Sequence, residues 1–133
     1  MLATAERRTV FKRCTVCEKT WHSIRDLVTD PALRLDGYQA CFARPEMGLL
    51  LVTHEVPCCG TTLALVVRSL RPLYDGPKYT ERRTGEEKCR GYCLKHNILE
   101  ECDVDCELAW VRSVIQWLRN HELPPHIVNR EDI

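Results

Sequence analysis

Apolar and polar positions along the chain change period several times, and each change marks an element. Trp21, Ile24, Leu27 and Val28 recur near helical spacing and Pro31 stops the pattern, which predicts a short helix over about 20–29. Asp36-Gly37 reads as a turn. A two-residue alternation follows, with Tyr38, Ala40 and Phe42 on one face and Gln39, Cys41 and Ala43 on the other. Arg44-Pro-Glu-Met-Gly48 turns the chain, and Leu50, Val52, His54 and Val56 alternate beyond it. These runs predict an antiparallel hairpin over about 38–56. They put His54 in phase with apolar neighbours, on the face to be buried.

Leu63, Val66, Val67 and Leu70 then fit the i, i+3, i+4, i+7 pattern, with Thr61 available as an N-cap. The expectation is a helix ending before Pro72; the β-branched content leaves a strand over Thr62–Val67 as the alternative. Residues 72–88 are polar, carry the turn signal Asp75-Gly76-Pro77, and are expected to form an exposed loop. The last pattern is the clearest. Leu108, Val111, Val114, Ile115 and Leu118 form a helical stripe widened by Trp110 and Trp117, with Asp103 or Asp105 as cap and Pro124-Pro125 as stop. So wide a face is buried in the chain's own core, the favoured reading, or covered by a protein partner or a second copy of the chain. The fold expected is a single α+β domain over 1–133, a small antiparallel sheet packed with helices.

Composition turns attention to sulfur. The chain has 9 cysteines in 133 residues, and 19 Lys+Arg balance 19 Asp+Glu. Zero net charge argues against a broad field for nucleic acid or membrane, even with Lys12, Arg13, Lys19 and Arg25 clustered near the first cysteines. The first residues lack the apolar stretch of a signal peptide, and the longest apolar run, Leu63–Val67, is far too short for a bilayer. A cytoplasmic protein with reduced thiols is therefore expected. No Gly-rich phosphate loop occurs and nothing frames a serine nucleophile, so a binding or regulatory module is expected rather than an enzyme.

The cysteines fall into two groups. Cys14-x2-Cys17 is a tight loop that presents two sulfurs on one side, half of a tetrahedral zinc site. It is similar to the knuckle of zinc ribbons and zinc fingers. His54-x4-Cys59 is the best supplier of the other two ligands, with Cys58 competing for the place of Cys59 and His22 in reserve. Cys58-Cys59-Gly60 also has a redox reading, because a thiol at a helix N-terminus has a lowered pKa. That triplet resembles the CCG motif of the cysteine-rich domains of heterodisulfide reductases, which hold iron–sulfur clusters or zinc. The upstream Cys41 and the downstream Cys89/Cys93 depart from that family's spacing.

The second group is Cys89-x3-Cys93-x8-Cys102-x3-Cys106. Two turns, each presenting two thiolates, enclose one occupant. That occupant is a zinc ion or a [4Fe–4S] cluster; otherwise the thiols pair as two disulfides. The last arrangement resembles the twin Cys-x3-Cys chaperones of the mitochondrial intermembrane space. The three-residue spacing favours zinc over the cluster. The acids Glu86, Glu87, Glu100, Glu101, Asp103, Asp105 and Glu107 nearby favour a bound cation to neutralise the thiolates. The leading expectation is a zinc domain with two cysteine-rich sites, and the alternative is a redox protein carrying [4Fe–4S] or a reactive thiol.

Overall fold

Three antiparallel strands carry the rest of the structure: β3 (Leu33–Gln39), β4 (Leu49–His54) and β5 (Thr62–Val66), with β4 in the centre. In this computed structural model, which describes residues 10–130, they are preceded by a miniature hairpin, β1 (Lys12–Arg13) with β2 (Thr20–Trp21), and a five-residue helix α1 (Ile24–Val28). Short 3-10 turns occupy Pro45–Met47, Val67–Leu73 and Tyr92–Leu94, and the long helix α2 (Ala109–Asn120) closes the fold. The result is an α+β arrangement of small antiparallel sheets and helices.

Period-two patterning holds where one face of the sheet is buried. Leu50, Val52 and His54 of β4 point inward, and Leu63 and Leu65 of β5 stand beside them. That alternation corrects the helix expected after Thr61. Thr62–Val66 is a strand because β4 has a second edge to pair, and Leu63 and Leu65 must share one face to reach the core. Only then does the chain coil, and Val67, Leu70 and Leu73 of the 3-10 turn are buried under α2. The apolar stripe of a single predicted helix is thus divided between two elements.

Two further boundaries move. The helix expected over 20–29 is confined to Ile24–Val28, because Thr20 and Trp21 pair with Arg13 and Lys12. Ser23 caps it, its Oγ accepting from the Asp26 N–H at 3.1 Å. Asp36-Gly37 is not a turn. It is an irregularity inside β3, where the register to β4 shifts between Leu35 and Gly37. The first strand therefore runs Leu33–Gln39 instead of 38–43, while the turn expected at Arg44–Gly48 does connect it to β4.

The long helix behaves as its pattern demands. Val111, Val114 and Ile115 are fully buried, Trp110 and Leu118 nearly so, against the 3-10 turn Val67–Leu73 and β3. Neither Asp103 nor Asp105 caps it: Leu108 holds the N-cap position with no side-chain cap, and Asp103 pairs with Arg90 instead. At the other end His121 adopts a left-handed conformation (φ 55°), so the helix stops before Pro124-Pro125 is reached. No helix among the described residues is long and apolar enough to cross a membrane.

Between Tyr74 and Gly91 there is no strand or helix, and most residues are exposed. The segment is nevertheless tied down. Arg82 donates from Nε to Glu107 at 2.8 Å and from Nη2 to the Phe42 carbonyl at 2.5 Å. Farther on, His96 lays its carbonyl oxygen against the outer edge of β3, where it accepts from the Tyr38 N–H at 2.8 Å. Gly37 makes that approach possible, since a Cβ there would lie 2.9 Å from the same oxygen. Gly37→Ala is expected to destabilise the protein by about 1–3 kcal/mol, the usual range for overpacking. The check is a lowered urea midpoint at unchanged denaturant slope; an unshifted midpoint means that the His96 strap is not a structural contact.

Candidate metal centre

Two hairpin loops make the site. In the first, the Cys14 N–H donates to the Lys19 carbonyl at 2.8 Å and the Glu18 N–H to the Cys14 carbonyl at 2.9 Å. Glu18 takes the left-handed conformation (φ 66°) that lets four residues reverse the chain. In the second, between β4 and β5, the His54 N–H donates to Thr61 at 2.9 Å and the Gly60 N–H returns to His54 at 3.0 Å. Cys58 and Gly60 are both left-handed (φ 68° and 73°). That backbone turns Cys58 outward and Cys59 inward, which decides between adjacent cysteines that the sequence leaves in competition.

Cys14, Cys17, His54 and Cys59 consequently bring one ligand atom each to within 4.8 Å of one another. Cys14 Sγ lies 3.6 Å from Cys59 Sγ, and Cys17 Sγ lies 3.5 Å from His54 Nδ1. Around a tetrahedral zinc with bonds near 2.3 Å to sulfur and 2.0–2.1 Å to nitrogen, the edges are about 3.8 Å for S···S and about 3.6 Å for S···N. The observed separations match both edges. His54 is buried at the end of β4, with Trp21 edge-on to its ring at 5.1 Å, and Trp21 is itself held by a 2.8 Å bond from Nε1 to Asp30. The Trp21 ring packs against the imidazole, and backbone bonds at the end of β4 hold the residue in place.

No family profile, curated protein or solved structure matches this chain. The chemistry of the site therefore rests on its own geometry.

Electrostatics at the cluster favour a cation. Backbone N–H bonding from Cys17, opposed by burial and helped by Val16 and Cys59, lowers Cys14 to about 6. Cys59 moves the other way. A backbone bond at Thr61 favours its thiolate, but burial and the adjacent Cys14 and Cys17 outweigh it and raise the thiol. The pair thus carries one negative charge and one proton across 3.6 Å. A divalent ion bound there would displace that proton and neutralise both sulfurs.

The remaining predicted ligands lie elsewhere. Cys58 is exposed, His22 is not in the cluster, and the segment after Gly60 is a strand, so no helix dipole activates Cys59. All nine cysteines are free thiols. Cys89, Cys93, Cys102 and Cys106 line one cavity of about 20 Å³. No three of their sulfurs close to within the 4.8 Å of the first cluster. Burial, and then the charges of Cys93, Cys106 and Cys89, raise the Cys102 thiol, although its backbone bond at Val104 opposes this. Sequence reasoning missed the fully buried Arg112 beside these thiols. The available signal was a cation between Val111 and the stripe residues Val114 and Ile115.

Two outcomes are expected. Cys59→Ser removes metal from this centre while Cys58→Ser keeps it, as read by metal content after gel filtration. Metal affinity weakens on acidification, most steeply below about 6, where metal-free Cys14 also takes up a proton that the ion must displace. A folded-state thiol below its ordinary value contributes above that value and loses its contribution on acidification. An affinity that does not change between pH 8 and pH 4 would reject thiolate ligation.

Proposed function

We propose that this protein is a small zinc-binding domain in which Cys14, Cys17, His54 and Cys59 hold a structural ion, and that it acts as a binding or regulatory module. The observation that carries the reading is the agreement of the 3.6 Å and 3.5 Å contacts with the edges of a Cys3His tetrahedron. Four protein ligands leave no open position for a substrate or an activated water, which supports a structural role over a catalytic one. One imidazole among three thiolates, packed under Trp21, suits zinc better than an iron–sulfur cluster, which is held by cysteines in most proteins.

The ion's task follows from its neighbours. β1 and β2 are two residues each, too short to hold a hairpin without a further constraint. Zinc joining the β1–β2 loop to the β4–β5 loop anchors that hairpin to the sheet. Structural zinc contributes on the order of 10 kcal/mol in small zinc domains, more than enough for that. A reduced, cytoplasmic setting fits the nine free thiols. Because α2 spends its apolar face on the core, a protein partner or second copy engaging this helix would meet its outer edge, where Trp117 is half-buried beside exposed Arg119.

The test is elemental analysis of protein purified without added metal, followed by chelation. Zinc is expected to copurify, and His54→Ala is expected to lose one equivalent. Chelation should lower the thermal midpoint by 10 °C or more, in the range of about 4–8 °C per kcal/mol for small domains, with recovery on adding zinc. Metal-free protein in which all nine thiols titrate freely and the midpoint ignores chelator overturns the reading.

A further inference from the structure

We propose that Cys89, Cys93, Cys102 and Cys106 bind a second zinc ion as a tetrathiolate, and that Arg112 is the buried counter-cation tying that ion to α2. The site is separate from the Cys3His centre, and neither needs the other.

The first support is the cavity. All four cysteines line it, and its volume of about 20 Å³ holds one water-sized occupant, since about 10–15 Å³ is the minimum for a water. A single ion fits such a space; a four-iron cluster demands a larger one. Two of the sulfurs already receive backbone donors: the Gly91 N–H points at Cys89 Sγ at 3.4 Å and the Arg83 N–H at Cys106 Sγ at 3.2 Å. Gly91 reaches its position through a left-handed backbone (φ 73°). The cysteines come from two segments, 89–93 and 102–106, and both line the same cavity.

The second support is Arg112. Its side chain is 0% exposed, in the middle of α2. Its Nη1 donates to the carbonyls of Ile98 and Glu100, and its Nη2 to Cys93 Sγ at 3.8 Å. The rings of Tyr38 and Tyr92 flank the guanidinium at 5.3 and 5.5 Å. No carboxylate among the described residues pairs with it. A guanidinium stays charged in any protein, and a charge this deep requires an opposite one. Four thiolates around a divalent ion carry a net charge of two negatives, which supplies it.

The third support is a coincidence of unpartnered atoms. Among the described residues, three buried side-chain polar atoms lack a hydrogen bond: Arg112 Nε, Thr84 Oγ1 and Tyr38 Oη. Arg112 and Thr84 line the cavity, and Tyr38 stacks on Arg112. Buried polar groups are ordinarily satisfied, so three exceptions gathered at one place point to negative charge there, as metal-bound thiolates would supply. Binding releases the four thiol protons to solvent and involves no electron transfer. Its structural effect is to dock the strand-free segment from Tyr74 to Cys106 onto α2 and β3.

The experiment uses the full chain. Wild type is expected to bind two zinc ions, Cys102→Ser/Cys106→Ser one, and Cys59→Ser one. Arg112→Met should release zinc from the second site at least tenfold faster, with the Cys3His centre unchanged, and Arg112→Lys should restore part of the difference. Native alkylation footprinting of wild type needs no variant to fold. Cys89, Cys93, Cys102 and Cys106 should be protected together, and exposed together on chelation, while Cys58 reacts throughout. One zinc per chain that survives Cys102→Ser/Cys106→Ser, four irons with visible absorption, or alkylation of the four at the rate of Cys58 overturns the proposal. Loss of zinc from His54→Ala alone would leave the second site standing, so the two readings fail separately.

Discussion

Three sulfurs and an imidazole nitrogen within 4.8 Å of one another are a poor assembly without a cation. Neighbouring thiolates repel, and thiols are weak hydrogen-bond donors that gain little from such crowding. The structure gathers them all the same, by closing two hairpin loops tightly and pointing both at the same spot. That convergence ties the β1–β2 hairpin to the central sheet. β1 and β2 flank the loop that carries Cys14 and Cys17, and the capped helix α1 packs against β2 with its buried Trp21.

The other half of the molecule is arranged around a positive charge. α2 supplies the largest apolar face of the core and, in its middle, the fully buried Arg112. The Ile98 and Glu100 carbonyls, the Cys93 sulfur and the rings of Tyr38 and Tyr92 surround its guanidinium. The same segment touches β3 through His96 and the Gly37 bulge. The bulge at Gly37 and the buried Arg112 thus both hold the irregular segment that carries the second cysteine group, one from the sheet and one from α2.

Much of this was legible in residue order. The pairing of Cys14 and Cys17 with His54 and Cys59 followed from knuckle spacing and from the phase of His54 within an alternating strand, and the four atoms do meet. The C-terminal helix was legible because its stripe is long and unbroken. The central segment was not. Leu63, Val66, Val67 and Leu70 fit a helical period by spacing alone, and the open edge of β4 outweighed that period. Asp36-Gly37 carried the composition of a turn, but the chain used the glycine for closeness to His96.

The sequence by itself determined the local geometry: which loops are tight, which faces are apolar, and which sulfurs share a turn. These depend on dihedral preferences and on contacts a few residues apart. Tertiary structure alone decided the long-range matters. It chose Cys59 over Cys58 through a left-handed backbone, converted a predicted helix into an edge strand, and set Arg112 among four thiols. Such outcomes depend on which distant surface arrives, and on the cost of leaving a strand edge, a sulfur or a charge without a partner.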